Sequence, residues 1–341
     1  MPVYPRKSSL GSARGGLHAR AAEDAIQSHK ASKIRGLSYE TSNSSPFSHA
    51  PNMLTLLFDG VAYGMLLFVL AVGLSITLGL MNFINLAHGA FAMVGGYAMV
   101  ILSKQLQIPF LICLPLVFVV VALLGALLEA TLYRRMYKKT HLDQVLFSIG
   151  LAFMSVAAMD FVMGSSQQNM DLPLWLRGRE EWGEAPWVLG VGHYRLFIVA
   201  VCALLTLVLQ LILSKTRFGS QLRASVDNPV VASGLGIGVN RVFLITFAVG
   251  SGLAGLGGAL GAEILSIEPL FPLKYMIYFL IVVAVGGTSS ITGPLCAAVF
   301  LGVADVFGKY YIPQLGGFVV YVLMILILLW RPQGLFIRGA K

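Results

Sequence analysis

The chain has 341 residues, of which 57% are hydrophobic and 11% charged, with a formal net charge of +9. Soluble domains carry roughly a quarter charged residues, so this composition excludes an ordinary soluble globular protein and points to a polytopic membrane protein. Its arginines and lysines sit between apolar runs, where they meet anionic lipid or mark the cytoplasmic side; a nucleic-acid-binding role is excluded on the same ground.

Residues 1–52 form a basic, serine-rich segment with Arg6, Lys7, Arg14, Arg20, Lys30, Lys33 and Arg35 and no long apolar run. It cannot build a core. Two readings stay open: a disordered tail, or a true start of translation at Met53, directly before LTLLFDGVAYG. After it come apolar runs long enough to span a bilayer, which takes about 20 residues. Spans are expected near 54–78, 85–103, 109–132, 144–164, 195–213, 241–262, 275–290, 295–312 and 316–331. The fold class is therefore all-α: a glycine-rich bundle of about 8–9 transmembrane segments over 53–332, some of them broken or re-entrant. VGGTSSITGP at 285–294 is short and polar, either a tight turn between spans or a break inside a re-entrant one.

Charge orients the bundle. YRRMYKKTH gathers Arg134, Arg135, Lys138 and Lys139; the loop 214–240 carries Lys215, Arg217 and Arg223; the end carries Arg331, Arg338 and Lys341. These regions, including a tail at 333–341, are assigned to the cytoplasm, and 165–194 with its Trp182 and Trp187 to the outside. The same count puts the start of the first span outside. A basic tail at 1–52 conflicts with that, which favours a start at Met53.

GLMNFINLAHGAFAMVGGY, residues 79–97, places polar groups inside a membrane run. Asn82, Asn85 and His88 follow one another at intervals of three, so Asn85 and His88 share a helix face. They line a solute path, clamp two helices, cap a helix that begins at a membrane break, or carry protons. Asp160 and Asp305 also lie within spans, where they face a central cavity or pair within the bundle. Farther on, the glycines of GSGLAGLGGALGAE, spaced at threes and fours, allow close helix contact.

No GxxxxGK, HExxH or GxSxG motif occurs, and Cys113, Cys202 and Cys296 show no metal or redox spacing. The chain is thus not expected to be an enzyme, to bind a metal or cofactor, or to hydrolyse a nucleotide through a P-loop of its own. The segment SQLRASVDNPVVASGLG reads as a short amphipathic helix: Leu222, Val226 and Val230 recur at fours, Arg223 pairs with Asp227, and Pro229 and Gly234 limit its length. It either lies on the membrane or plugs into a partner.

Three stretches carry a resemblance: GLSITLGLMNFINLAHGAFAMVGGYAM, TRFGSQLRASVDNPVVASGLGIGVNRVFLITFAVGSGLAGLGGAL, and VAVGGTSSITGP followed by RPQGLF. Over about 53–338 the chain resembles the permease subunits of bacterial high-affinity branched-chain amino acid ABC transporters, and their first permease type more than the second. The resemblance implies a multi-pass inner-membrane protein and a second permease subunit as partner, with a heterodimer expected. It also implies two cytoplasmic ATPase subunits that use the ATP, and a periplasmic substrate-binding protein. It further implies that Arg223, Ala224, Asn228, Ala232, Gly236 and Ile237 belong to the ATPase coupling region. Ala90 stands where many members of the family carry glutamate. Related permeases carry urea, short amides or other amino acids, which is the alternative cargo; a channel or carrier working without an ATPase is the alternative class.

Overall fold

The computed structural model describes residues 53–81, 83–137, 139–182, 189–287, 291–331 and 334. The segment 1–52, with both of its readings, lies outside the described residues, as does the tail 333–341 apart from Gly334.

The first helix, α1 (Met53–Met81), has 29 residues and is about 43 Å long, more than a hydrocarbon core of about 30 Å requires. An extended stretch leads to α2 (His88–Val100), which runs on through a π turn at Ile101–Gln105. Helix α3 (Phe110–Leu128) likewise continues through a π turn at Glu129–Tyr133 and a last turn at Arg134–Met136. Then come α4 (His141–Met163), a hairpin of β1 (Arg179–Trp182) and β2 (Leu189–Gly192), and α5 (His193–Lys215). The short helices α6 (Arg217–Asp227) and α7 (Pro229–Gly234) precede α8 (Val239–Gly261), α9 (Phe271–Gly286), α10 (Thr292–Tyr311) and α11 (Gly316–Trp330). Six of these helices, α1, α3, α4, α5, α8 and α10, are long and apolar enough to cross a membrane, while α9 and α11 are apolar but shorter. The protein is an all-α polytopic membrane protein with at least six membrane-crossing helices.

Two local features differ from the sequence expectation. The run expected over 85–103 is helical only from His88, because Oδ1 of Asn85 accepts the Ala87 backbone N–H at 3.1 Å and closes a turn ahead of the helix. The segment 165–192 holds a two-stranded antiparallel sheet, in register from Arg179 opposite Gly192 to Trp182 opposite Leu189.

Helices α1 and α8 form the buried centre. At the crossing of α8 with α2, Gly258 lies against the Ala92 carbonyl and Gly95 against the Gly255 backbone, so a Cβ at Gly258 would overlap main chain. Backbone contact of this kind is how membrane helices associate without a hydrophobic driving force between them. Helix α10 runs antiparallel to α1: Gly60 meets Val303, and Gly64 meets Ala298 and Val299. One end of the bundle is fixed by the Gly190 N–H, which donates to Thr55 Oγ1 at 2.9 Å, and by an Asp59–Arg195 ion pair. The start of α1, the hairpin and the start of α5 therefore share an end, and α6 follows the other end of α5.

Candidate translocation path and coupling site

The non-helical stretch before α2 is deeply buried. Asn85 is 1% exposed and His88 2%; Asn82 lies outside the described residues. Besides its turn-closing bond, Asn85 Oδ1 accepts from the Tyr133 hydroxyl at 3.1 Å. His88 Nε2 sits 3.0 Å from the Leu70 carbonyl oxygen; a carbonyl only accepts, so Nε2 carries the hydrogen and donates it. Leu70 lies past the middle of α1, so α2 starts deep in the bundle rather than at its end. The two polar side chains thus bond to different helices, Asn85 to α3 and His88 to α1. Asn85 Nδ2 has no hydrogen-bond partner among the described residues.

Aromatic rings close around this stretch. Phe83 meets Tyr133 and Tyr137 edge-on at 5.4 and 5.6 Å between centroids. Tyr133 also meets Phe247 at 4.6 Å, and Phe247 meets Phe91 at 5.8 Å. Phe91 and Phe279 each lie 6.4 Å from the His88 ring. Just beyond, the fully buried Glu129 accepts from Arg134 Nη2 at 3.0 Å and from the Tyr137 hydroxyl at 3.3 Å, which compensates its desolvation.

A second polar group lies at the hairpin end. Asp305 is 1% exposed, and its Oδ2 accepts from Lys309 Nζ at 2.5 Å, one turn farther along α10. Lys309 Nζ also stands 5.5 Å over the Tyr63 ring. Asp305 and Lys309, with the Asp59–Arg195 pair and Lys274, border a cavity of about 410 Å³ whose wall includes Tyr63, Tyr275, Tyr278 and Tyr321. Asp160 does not belong to it. It is exposed near the end of α4 and accepts from Ser165 Oγ at 2.7 Å.

At the opposite end, α6 folds back at a corner where Gly219 lies against the Leu213 backbone. Arg223 Nη1 donates to the Leu213 carbonyl at 2.6 Å; the expected Arg223–Asp227 pair is not formed among the described residues. A carbonyl left open at the end of α5 attracts the guanidinium more locally than an exposed carboxylate does. Instead of one helix there are two, since Pro229 cannot continue α6. Asn228 caps the second: its Oδ1 accepts from the Val230 and Val231 N–H groups at 3.1 and 3.0 Å. Gly236, at φ +83°, ends α7. Its N–H donates to Ser233 O and that of Ile237 to Ala232 O, both at 3.0 Å, the double bond of a left-handed helix stop. Ala232 is buried beneath and Ala224 half-buried, while Val230 (80%), Val231 (56%) and Leu235 (76%) are exposed. A capped six-residue helix thus presents an apolar face.

Sequence reasoning missed Tyr133, Lys309 and Arg195 as partners in these groups. Lys309 carried a local signal, four residues after Asp305 on one helix face. The other two pair with residues far away in the sequence.

The family model described as "Branched-chain amino acid transport system / permease component" matches residues 56–328. Among similar proteins, the high-affinity branched-chain amino acid transport system permease protein BraD of Pseudomonas aeruginosa is 28% identical over 84% of this chain and 96% of its own length. A probable branched-chain amino acid transport permease protein, LivH of Methanocaldococcus jannaschii, is 29% identical over 82% of this chain and 91% of its own length. LivM of Escherichia coli is 26% identical over 80% of this chain but 68% of its own length. No solved structure matches the chain. Since the family model covers most of its length, the chain belongs to the branched-chain amino acid transport system permease family, and to its BraD/LivH type.

Proposed function

We propose that this chain is the permease subunit of an ATP-driven importer that moves branched-chain amino acids across the bacterial inner membrane. It works with a second permease subunit, two cytoplasmic ATPase subunits that hydrolyse the ATP, and a periplasmic binding protein that delivers the solute. Counting α2, α9 and α11 with the six long helices gives nine segments, within the 8–9 spans of such a permease. The α6–α7 end is cytoplasmic and the hairpin end faces outward.

The observation that carries this reading is the capped α7 with its exposed Val230, Val231 and Leu235, in a permease-family chain without a P-loop. Arg223 ties α6 to α5, and Asn228 and Gly236 fix both ends of α7. A push on α7 therefore reaches the bundle through short, rigid connections, the requirement for coupling ATP-driven closure to alternating access. Asn85 and His88 line the path at the deep start of α2. There the unused Asn85 Nδ2 offers a donor to a passing carboxylate, while the surrounding rings accept an aliphatic side chain.

The test is ATP-dependent uptake into proteoliposomes by the whole complex with its binding protein. Labelled leucine is competed with isoleucine, valine, urea and short amides. Leucine uptake that requires ATP and is blocked by isoleucine and valine supports the proposal. Urea or amide uptake without leucine uptake replaces the cargo, and leucine flux through this chain alone overturns the subunit role.

A further inference from the structure

The cavity at the hairpin end is built for more than passage of water. We infer that it is the first subsite in the permease for the delivered amino acid, gripping the charged head group of a zwitterion; this rests on the importer reading above. Its volume of about 410 Å³ lies within the range of about 300–1,000 Å³ typical of small-molecule sites.

The wall carries both signs in close pairs. Lys309 is half exposed while its partner Asp305 is buried, so the cation faces the opening and the anion lies behind it. Asp59 and Arg195 repeat the arrangement, with the arginine the more exposed member. In each acid one oxygen is used, and the buried Oδ1 atoms of Asp59 and Asp305 have no hydrogen-bond partner among the described residues. A buried carboxylate with an unmet acceptor is costly unless a donor arrives. A zwitterion supplies what each pair lacks: its carboxylate meets Lys309 or Arg195, and its ammonium donates to the open Oδ1 of Asp305 or Asp59. A carboxylate without an ammonium leaves the acids unmet, and an amine without a carboxylate adds a second cation beside Lys309 or Arg195 with no anion to balance it.

Aromatic rings form the rest of the grip. The Tyr275 hydroxyl donates to the Leu265 carbonyl at 3.3 Å, which fixes that ring, and Tyr278 lies 6.1 Å from both Tyr275 and Tyr321. Such faces attract an ammonium and cover aliphatic carbon. The site also leads somewhere. Tyr63 is seven residues before Leu70 on α1, about 10 Å, and the Leu70 carbonyl holds His88 at the start of α2.

Saturation-transfer NMR of leucine tests this on the assembled permease–ATPase complex in nanodiscs, without the binding protein. Leucine is expected to receive saturation and to be displaced by valine, but not by 4-methylpentanoate or isopentylamine, which each lack one charge. The neutral pair D305N/K309Q should weaken binding by about ten-fold or more, as expected when a charged contact is lost, and Lys309→Arg should retain it. Tyr278→Ala, which removes a half-buried ring of the wall and leaves both charged pairs in place, should also weaken binding and provides the readout if the double variant does not assemble. Leucine uptake by the complete wild-type system without any saturation transfer would overturn the subsite alone. Equal displacement by the single-charge analogues, or unchanged binding in the variants, would overturn it as well. Urea uptake in place of leucine uptake would overturn the cargo reading and the subsite's ligand together.

Discussion

Tyr133 donates its hydroxyl hydrogen to Oδ1 of Asn85 across 3.1 Å, joining residues 48 positions apart. Both partners sit in irregular backbone, Asn85 in the non-helical stretch before α2 and Tyr133 in the π turn of α3. Irregular segments of this kind persist where their surroundings hold them, and they recur at functional sites. The bond ties two such segments together in the centre of the bundle.

Tyr133→Phe removes the donor and keeps the ring. Hydrogen bonds between membrane helices average only about 0.6 kcal/mol, so the complex should assemble and melt within a few degrees of the wild type. Asn85→Leu and His88→Leu should also insert, yet lower ATP-dependent uptake by about ten-fold or more, because each removes a polar group from the proposed path. Uptake per inserted subunit is the measurement. Wild-type rates in both leucine variants would remove Asn85 and His88 from the path.

Gly258→Leu should act in the opposite way. Its Cβ would run into the Ala92 carbonyl, which belongs to main chain and cannot step aside like a side chain end. Overpacking typically costs about 1–3 kcal/mol and more where backbone must shift. The expected outcome is loss of assembled complex on size-exclusion chromatography. A normal yield with normal uptake would show that α2 and α8 can separate freely.

Most of the bundle was legible in the sequence because a bilayer imposes about 20 apolar residues per crossing, and α1, α3, α4, α5, α8 and α10 meet that demand. The polar motif around Asn85 and His88 was legible as an anomaly, but its partners were not. His88 bonds a backbone carbonyl, which any residue at position 70 would offer, and Tyr133 is reached only through the fold. The same holds for Asp59 and Arg195, which meet across about half of the membrane domain's sequence. At α6 the i,i+4 rule named the wrong partner for Arg223, since the corner at Thr216–Gly219 brings the Leu213 carbonyl closer. Periodicity describes one helix at a time and does not register a turn back onto the preceding one.

The hairpin at 179–192 should respond to acid. The Glu180 carboxyl is held below the usual glutamate range, first by the Trp182 indole N–H at 3.0 Å and then by His193 at 3.1 Å. A folded-state pKa below the unfolded one means that the contribution is present above the unfolded value and is lost as pH falls through the folded value. Hydrogen exchange of the β1–β2 amides should therefore quicken as pH drops below the glutamate range, after correction for intrinsic rates. Glu180→Gln should remove most of that dependence; an unchanged profile would assign it to another group.

Gly236 and Arg223 test coupling from two directions. At φ +83° a residue with a Cβ is strained by about 1–2 kcal/mol, although an added Cβ at Gly236 meets nothing within 4 Å. Gly236→Leu should thus act through the backbone, loosening the stop of α7 while the membrane bundle stays intact. Arg223→Glu sets a carboxylate against the Leu213 carbonyl and releases α6 from α5. Both variants should reach the membrane in normal amounts. Both should lose ATPase binding, or hydrolyse ATP without uptake, when ATPase pull-down and the ratio of transport to hydrolysis are measured. Normal ratios in both would leave α6 and α7 as surface helices, because a rigid link that can be loosened at two points without effect carries no motion.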